Sequence, residues 1–112
     1  MKLKAERAAS DIQKELGNIM LFEAKDKDFK NVVITDVDVS NDLSYAKVYF
    51  TTIDDREKVL KDLNNASGFF RSLLADRLKI RHTPELKFIF DESIEYAQNI
   101  ENIIKEIHEK DN

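Results

Sequence analysis

Apolar positions between residues 3 and 22 return every three or four places, at Leu3, Ala8, Ile12, Leu16, Ile19 and Met20, with Lys4, Arg7, Lys14 and Glu15 between them. That spacing predicts an amphipathic helix with one face turned to a core. After the charged loop EAKDKDFKN the period changes. VVITDVDVS alternates, with Val33, Thr35, Val37 and Val39 on one side and Ile34, Asp36 and Asp38 on the other. LSYAKVYFTT alternates again, with Ala46, Val48 and Phe50 inward and Tyr45, Lys47 and Tyr49 outward, and the polar residues Ser40, Asn41 and Asp42 between the two runs make a hairpin turn.

Helical spacing resumes from Asp55 to Leu78, where Val59, Leu63, Ala66, Phe70, Leu73 and Leu74 share a face and Asp54 or Asp55 can cap the start. Thr83, which precedes Pro84, is driven out of helical space, so KIRHTP is extended. ELKFIFD then supplies a third strand with Leu86, Phe88 and Phe90 inward. Residues 93–108 close the pattern as a helix with the stripe Ile94, Ala97, Ile100, Ile103, Ile104 and Ile107. The predicted architecture is α+β in two layers, a three-stranded sheet with helices on one face in the order αββααβα. A length of 112 residues suits one domain spanning 1–112.

Within the 55–78 helix, Asn64, Asn65, Ser67 and Gly68 are poor interior residues, and a glycine there costs about 1 kcal/mol relative to alanine. The apolar spacing nevertheless runs straight across them. Both signals are satisfied by a helix that ends, bends and restarts, with Ser67 as N-cap of the second half and Gly68 letting the backbone turn. A restart of this kind exposes unpaired amides at a positive dipole end, which suits a phosphate; a plain loop between two packed helices satisfies the same pattern.

Charge sharpens this picture. Eighteen basic and twenty-two acidic residues give a net charge of −4. Residues 64–90, however, hold Arg71, Arg77, Lys79, Arg81 and Lys87 against Asp76 and Glu85, and residues 91–112 hold two lysines against seven acids. Where the charge sits matters more for a polyanionic partner than its sum. The chain has no cysteine, which agrees with a reducing cytoplasm, and no apolar run of membrane-spanning length.

No catalytic constellation emerges. With Gly17 and Gly68 as the only glycines, neither a phosphate-binding glycine loop nor a Gly-x-Ser-x-Gly elbow is possible. His82 and His108 lack metal-ligand spacing, and Asp36 and Asp38 have no third ligand or nucleophile beside them, so the two carboxylates read as a solvated strand face. No enzyme, metal or cofactor is expected. Tyr45, Lys47, Tyr49 and Lys87 could stack bases on the outer sheet face or be its ordinary polar side; Asp36 and Asp38 would repel phosphate there.

VVITDVDVSNDLSYAKVYFTT and NASGFFRSLLADRLKIRHTPELKFIFDESIEYAQNIENII closely resemble the ribosome-binding factor A family of bacterial small-subunit assembly factors. The shared marks are Val39-Ser40 with Asp42-Leu43, Ala46-x-Val48-Tyr49, Ala66-Ser67-Gly68, Thr83-Pro84-Glu85-Leu86 and Asp91-x-Ser93. The resemblance implies a type II K-homology-like fold in which an Ala-x-Gly bend joins two helices, and Ala66-Ser67-Gly68 matches that bend. It implies a cytoplasmic, non-enzymatic protein that binds the immature 30S subunit and its 16S rRNA, assists late maturation and 5′-end processing, and supports growth in the cold. The implied partners are rRNA, ribosomal proteins and other assembly factors, met as a monomer. The chain departs from the family in having KDKDFKN without the proline turn, and in having only a short stretch after the acidic helix.

The candidate RNA-binding residues are Ala66, Ser67, Gly68, Arg71, Arg77, Lys79, Arg81 and His82, with Lys4 and Arg7. A protein-docking module that meets a basic partner through the acidic 93–108 helix is the alternative.

Overall fold

The computed structural model describes residues 2–23 and 29–93. Its elements are α1 (Lys2–Phe22), β1 (Val33–Val39), β2 (Tyr45–Thr51), α2 (Arg56–Asn65), α3 (Ser67–Leu78) and β3 (Glu85–Phe90). The predicted helix 93–108 lies outside the described residues beyond its first residue.

The sheet has the order β1-β2-β3, with β1 antiparallel and β3 parallel to β2. Parallel pairing requires a crossover connection, which α2 and α3 supply. One core joins Ala5, Ile12, Leu16, Ile19 and Met20 of α1 with Val37, Val39, Ala46, Val48 and Phe50 of the hairpin, Val59 and Leu63 of α2, Phe70 and Leu74 of α3, and Leu86 and Phe88 of β3. Phe70 is fully buried, and its ring lies edge-on at 5.6 Å to both Phe29 and Phe88. Burying such a ring stabilises the fold by roughly 1.5–3 kcal/mol.

The hairpin turn is built by side chains. Ser40 Oγ accepts from the Tyr45 amide (3.1 Å) and donates to Asp42 Oδ1 (2.8 Å), which also accepts from the Ser44 amide (3.0 Å). These bonds hold the turn while Leu43 takes a left-handed φ of 63° and packs against the core. The Ser40 hydroxyl first, then the Ser44 bonds, keep the Asp42 carboxyl below its ordinary value.

Three expectations are corrected. The first concerns β1, where the pairing register shifts between Ile34 and Asp36, leaving Thr35 as the extra residue of a bulge. The alternation changes phase there, so Val32 is buried, Ile34 packs on the core and Val33 is 57% exposed. The bulged Thr35 donates its hydroxyl to Asp91 Oδ2 (2.6 Å), and its carbonyl accepts from Gln13 Nε2 (3.2 Å). These two bonds fix a kink that no local pattern encodes.

The second correction is on α1. Ala5 takes the buried place and Ala8 is only half-buried, because the contact with β1 lies toward Ala5 and Ala9.

The third lies at the helix break. The break exists, but Ser67 is not its cap. Ala66 (φ −93°, ψ 6°) ends α2 and begins α3 at once, with no side-chain capping bond, and Ser67 is already helical. A one-residue junction leaves no room for a separate cap residue. Gly68 does not turn the backbone either, since neither glycine has a positive φ.

Candidate nucleic-acid interface

The break between α2 and α3 is narrow and sharply defined. Asp55 caps α2, accepting from the amides of Glu57 (3.1 Å) and Lys58 (3.4 Å). The α2 ladder ends with the Ala66 amide donating to Asp62 O (3.0 Å) and Leu63 O (3.1 Å), and the α3 ladder begins with the Phe70 amide donating to Ala66 O (3.1 Å). The amides of Ser67, Gly68 and Phe69 fall in the first turn of α3, where a helix has no internal acceptor for them. A Cβ added at Gly68 would meet nothing within 4 Å. The surface over this turn is therefore open.

Ser67, Gly68, Arg71, Glu85 and Leu86 line a shallow cleft of about 320 Å³ beside the turn. Arg71 Nε donates to Thr83 O (3.0 Å), which uses one of the guanidinium's five donors and draws the loop 79–84 toward α3. Arg81 and His82, both exposed, precede Thr83 in that loop. Glu85, the first residue of β3, also borders the cleft.

The remaining candidate cations are placed differently. Lys4 and Arg7 are exposed on the first turns of α1, whose Ala5, Glu6 and Ala9 border Val37, Val39 and Asn41. Val39, Ala46 and Leu86 are in register, so this is the same end of the sheet as the α3 start. Arg77 lies six residues past Arg71, on another side of α3, and is paired with Glu15 (3.4 Å) and Glu23 beside α1. Lys79 closes α3 in a left-handed conformation, one helix length, about 18 Å, from Ser67. Ser67, Gly68 and Arg71 thus share one cleft, Arg81 and His82 lie in the loop that Arg71 holds, Lys4 and Arg7 share that end of the sheet, and Arg77 and Lys79 stand apart.

Sequence reasoning also passed over Phe69. It is 57% exposed in the first turn of α3, edge-on to Phe70 at 5.6 Å, so an aromatic face stands among the free amides. Its place next to a buried phenylalanine inside a helical pattern was the available signal. On the outer sheet face Lys47 is in register with Asp38 and Lys87, Tyr49 with Asp36, and Tyr45 with Glu85. The tyrosines and lysines do share this face, but with an acid in register at each row. Among the described residues no group of three His, Asp or Glu could hold a metal ion, and no helix is long and apolar enough to cross a membrane. The acidic 93–108 segment of the alternative lies outside the described residues, apart from Ser93.

The sequence profile of ribosome-binding factor A matches residues 4–104. A curated relative, ribosome-binding factor A of Staphylococcus carnosus, is 43% identical over 113 residues, covering 98% of each chain. The chain belongs to the ribosome-binding factor A family. Solved structures agree on the fold. The crystal structure of ribosome-binding factor A from Thermus thermophilus is similar with a TM-score of 0.70 at 22% identity, covering 76% of this chain and 93% of that one. A homology model of the Thermus thermophilus factor, fitted into a cryo-EM map of a 30S complex, is similar with a TM-score of 0.60 at 24% identity, covering 73% of this chain and 93% of that one. These likenesses support a K-homology-like α+β fold, and in this chain the α2–α3 break lies at one end of the three-stranded sheet.

Proposed function

We propose that this protein binds the immature small ribosomal subunit and touches 16S rRNA through the α2–α3 break, assisting late maturation of the subunit, including processing of the rRNA 5′ end, and growth in the cold. It acts in the cytoplasm as a monomeric 1–112 domain, carries out no reaction, and meets ribosomal proteins and other assembly factors on the subunit. Family membership supports the ribosome as partner, and the 30S complex of the Thermus factor supports the small subunit.

The observation that carries the interface is the open first turn of α3. Its amides donate to phosphate oxygens, Arg71 flanks them, the loop that Arg71 ties down carries Arg81 and His82, and Lys4 and Arg7 extend the positive surface at the same end of the sheet. Gly68 leaves the backbone approachable. Phe69 offers a face on which an unpaired base stacks. Shape and phosphate position dominate recognition, because base-edge donors at the site are few.

The test is binding to purified small subunits and to 16S rRNA fragments as salt is varied. Neutralising about five phosphates gives a slope of log affinity against log salt of about −3.5 to −4.5. Arg71→Glu with Arg81→Glu abolishes co-sedimentation with small subunits. A slope near zero, or full co-sedimentation of the double variant, overturns the proposal.

A further inference from the structure

Asn64 is the penultimate residue of α2 and an unfavourable one for a helix interior. Its carboxamide reaches β3. Oδ1 accepts from the Phe88 amide (2.9 Å) and Nδ2 donates to the Phe88 carbonyl (3.2 Å). Glu85 and Asp91 donate their amides toward β2, to Ser44 O and Phe50 O, so the alternate residue Phe88 turns both backbone groups away from the sheet and toward α2. The fit is a two-point one, with donor and acceptor each matched.

The other side of the break is held by the same residue. Phe70 closes the first turn of α3, and its ring lies edge-on to the Phe88 ring at 5.6 Å. Phe88 thus grips the chain two residues before Ala66 through its backbone and four residues after it through its ring. With a single residue at the junction, Phe88 contacts both the end of α2 and the start of α3.

We propose that Asn64 is a positioning residue for the RNA interface. By tying the end of α2 to β3, it fixes the angle at which α3 presents the amides of Ser67, Gly68 and Phe69, and it touches no RNA itself. This rests on the interface reading given above. A purely structural Asn64 would contribute stability alone; a positioning Asn64 sets affinity beyond what stability explains.

The experiment compares Asn64→Ala with Ile12→Val, which thins the core under α1 and leaves the break untouched, measuring small-subunit affinity, its salt slope, melting temperature and Phe88 amide exchange. At equal or smaller loss of melting temperature, Asn64→Ala binds small subunits about fivefold or more weakly than Ile12→Val, with an unchanged salt slope and a faster-exchanging Phe88 amide. Should Asn64→Ala fail to fold, Asn64→Asp, which keeps the acceptor for the Phe88 amide and loses the donor to its carbonyl, carries the same comparison. Affinity equal to that of Ile12→Val, with Phe88 exchange raised, overturns the positioning role while leaving the interface standing. A wild-type protein that binds small subunits without salt dependence overturns the interface, and the positioning role with it.

Discussion

Arg77, in the last turn of α3, lies 3.4 Å from Glu15 Oε2 of α1 and is also paired with Glu23, so one guanidinium links the two helices. It is the candidate cation whose charge is already answered inside the molecule.

Arg77→Ala therefore lowers stability by roughly 0.5–1 kcal/mol, a modest amount because the three side chains are partly exposed and screened. Urea denaturation reads that loss. The salt slope of rRNA binding stays as in the wild type. A slope reduced by about one phosphate's worth would show that Arg77 leaves α1 when RNA binds.

Lys79→Gly separates stability from binding. Lys79 ends α3 at φ 51° and ψ 33°, a conformation that glycine adopts without the Cβ clash. The substitution raises stability by about 1 kcal/mol in thermal unfolding. Lys79 stands a helix length from the open turn, so rRNA affinity falls by no more than one ordinary phosphate contact. A loss as large as that of Arg71→Glu would move the centre of the interface toward the far end of α3.

Gly17→Ala stabilises. Gly17 lies inside α1, and a Cβ there meets nothing within 4 Å. Removing a mid-helix glycine adds roughly 0.5–1 kcal/mol and raises the melting temperature by about 2–4 °C. Binding to small subunits is unchanged. A lower melting temperature would mean that the α1 backbone needs glycine at this position.

The hairpin turn loosens in acid. Asp42 is held below the ordinary carboxyl value of 3.8, so the stability it lends is complete above that value and is lost as pH falls through the lowered one. An NMR titration places the Asp42 midpoint below 3.8, with the Ser44 amide shifting alongside it. Asp42→Asn removes this acid response. A midpoint above 3.8 would contradict the hydrogen-bonded turn.

Periodic elements were legible in the sequence where three or more residues repeat a period. Ala46, Val48 and Phe50 fix one strand, and Leu86, Phe88 and Phe90 another. The bulge at Thr35 was not legible, because valines at 32, 33, 37 and 39 fit either phase of alternation and the choice is made by Asp91, 56 residues away. Ser67 carries the side chain of a cap, yet a cap needs a residue outside the helix, and the one-residue junction spends its only such position on Ala66. The separation of Arg77 from the other cations was hidden as well, since a charge in a sequence does not show which carboxylate faces it. Asn64 was visible as a misfit in a helix but not as a bond to β3.

The link between Asn64 and Phe88 has one further consequence. The outer margin of a sheet is a template on which another copy of the chain, or a growing fibril, can zip up by backbone pairing. At Phe88 both halves of that template are already occupied by a side chain of the same molecule. Backbone pairing with another strand is thereby blocked at this residue of the sheet margin.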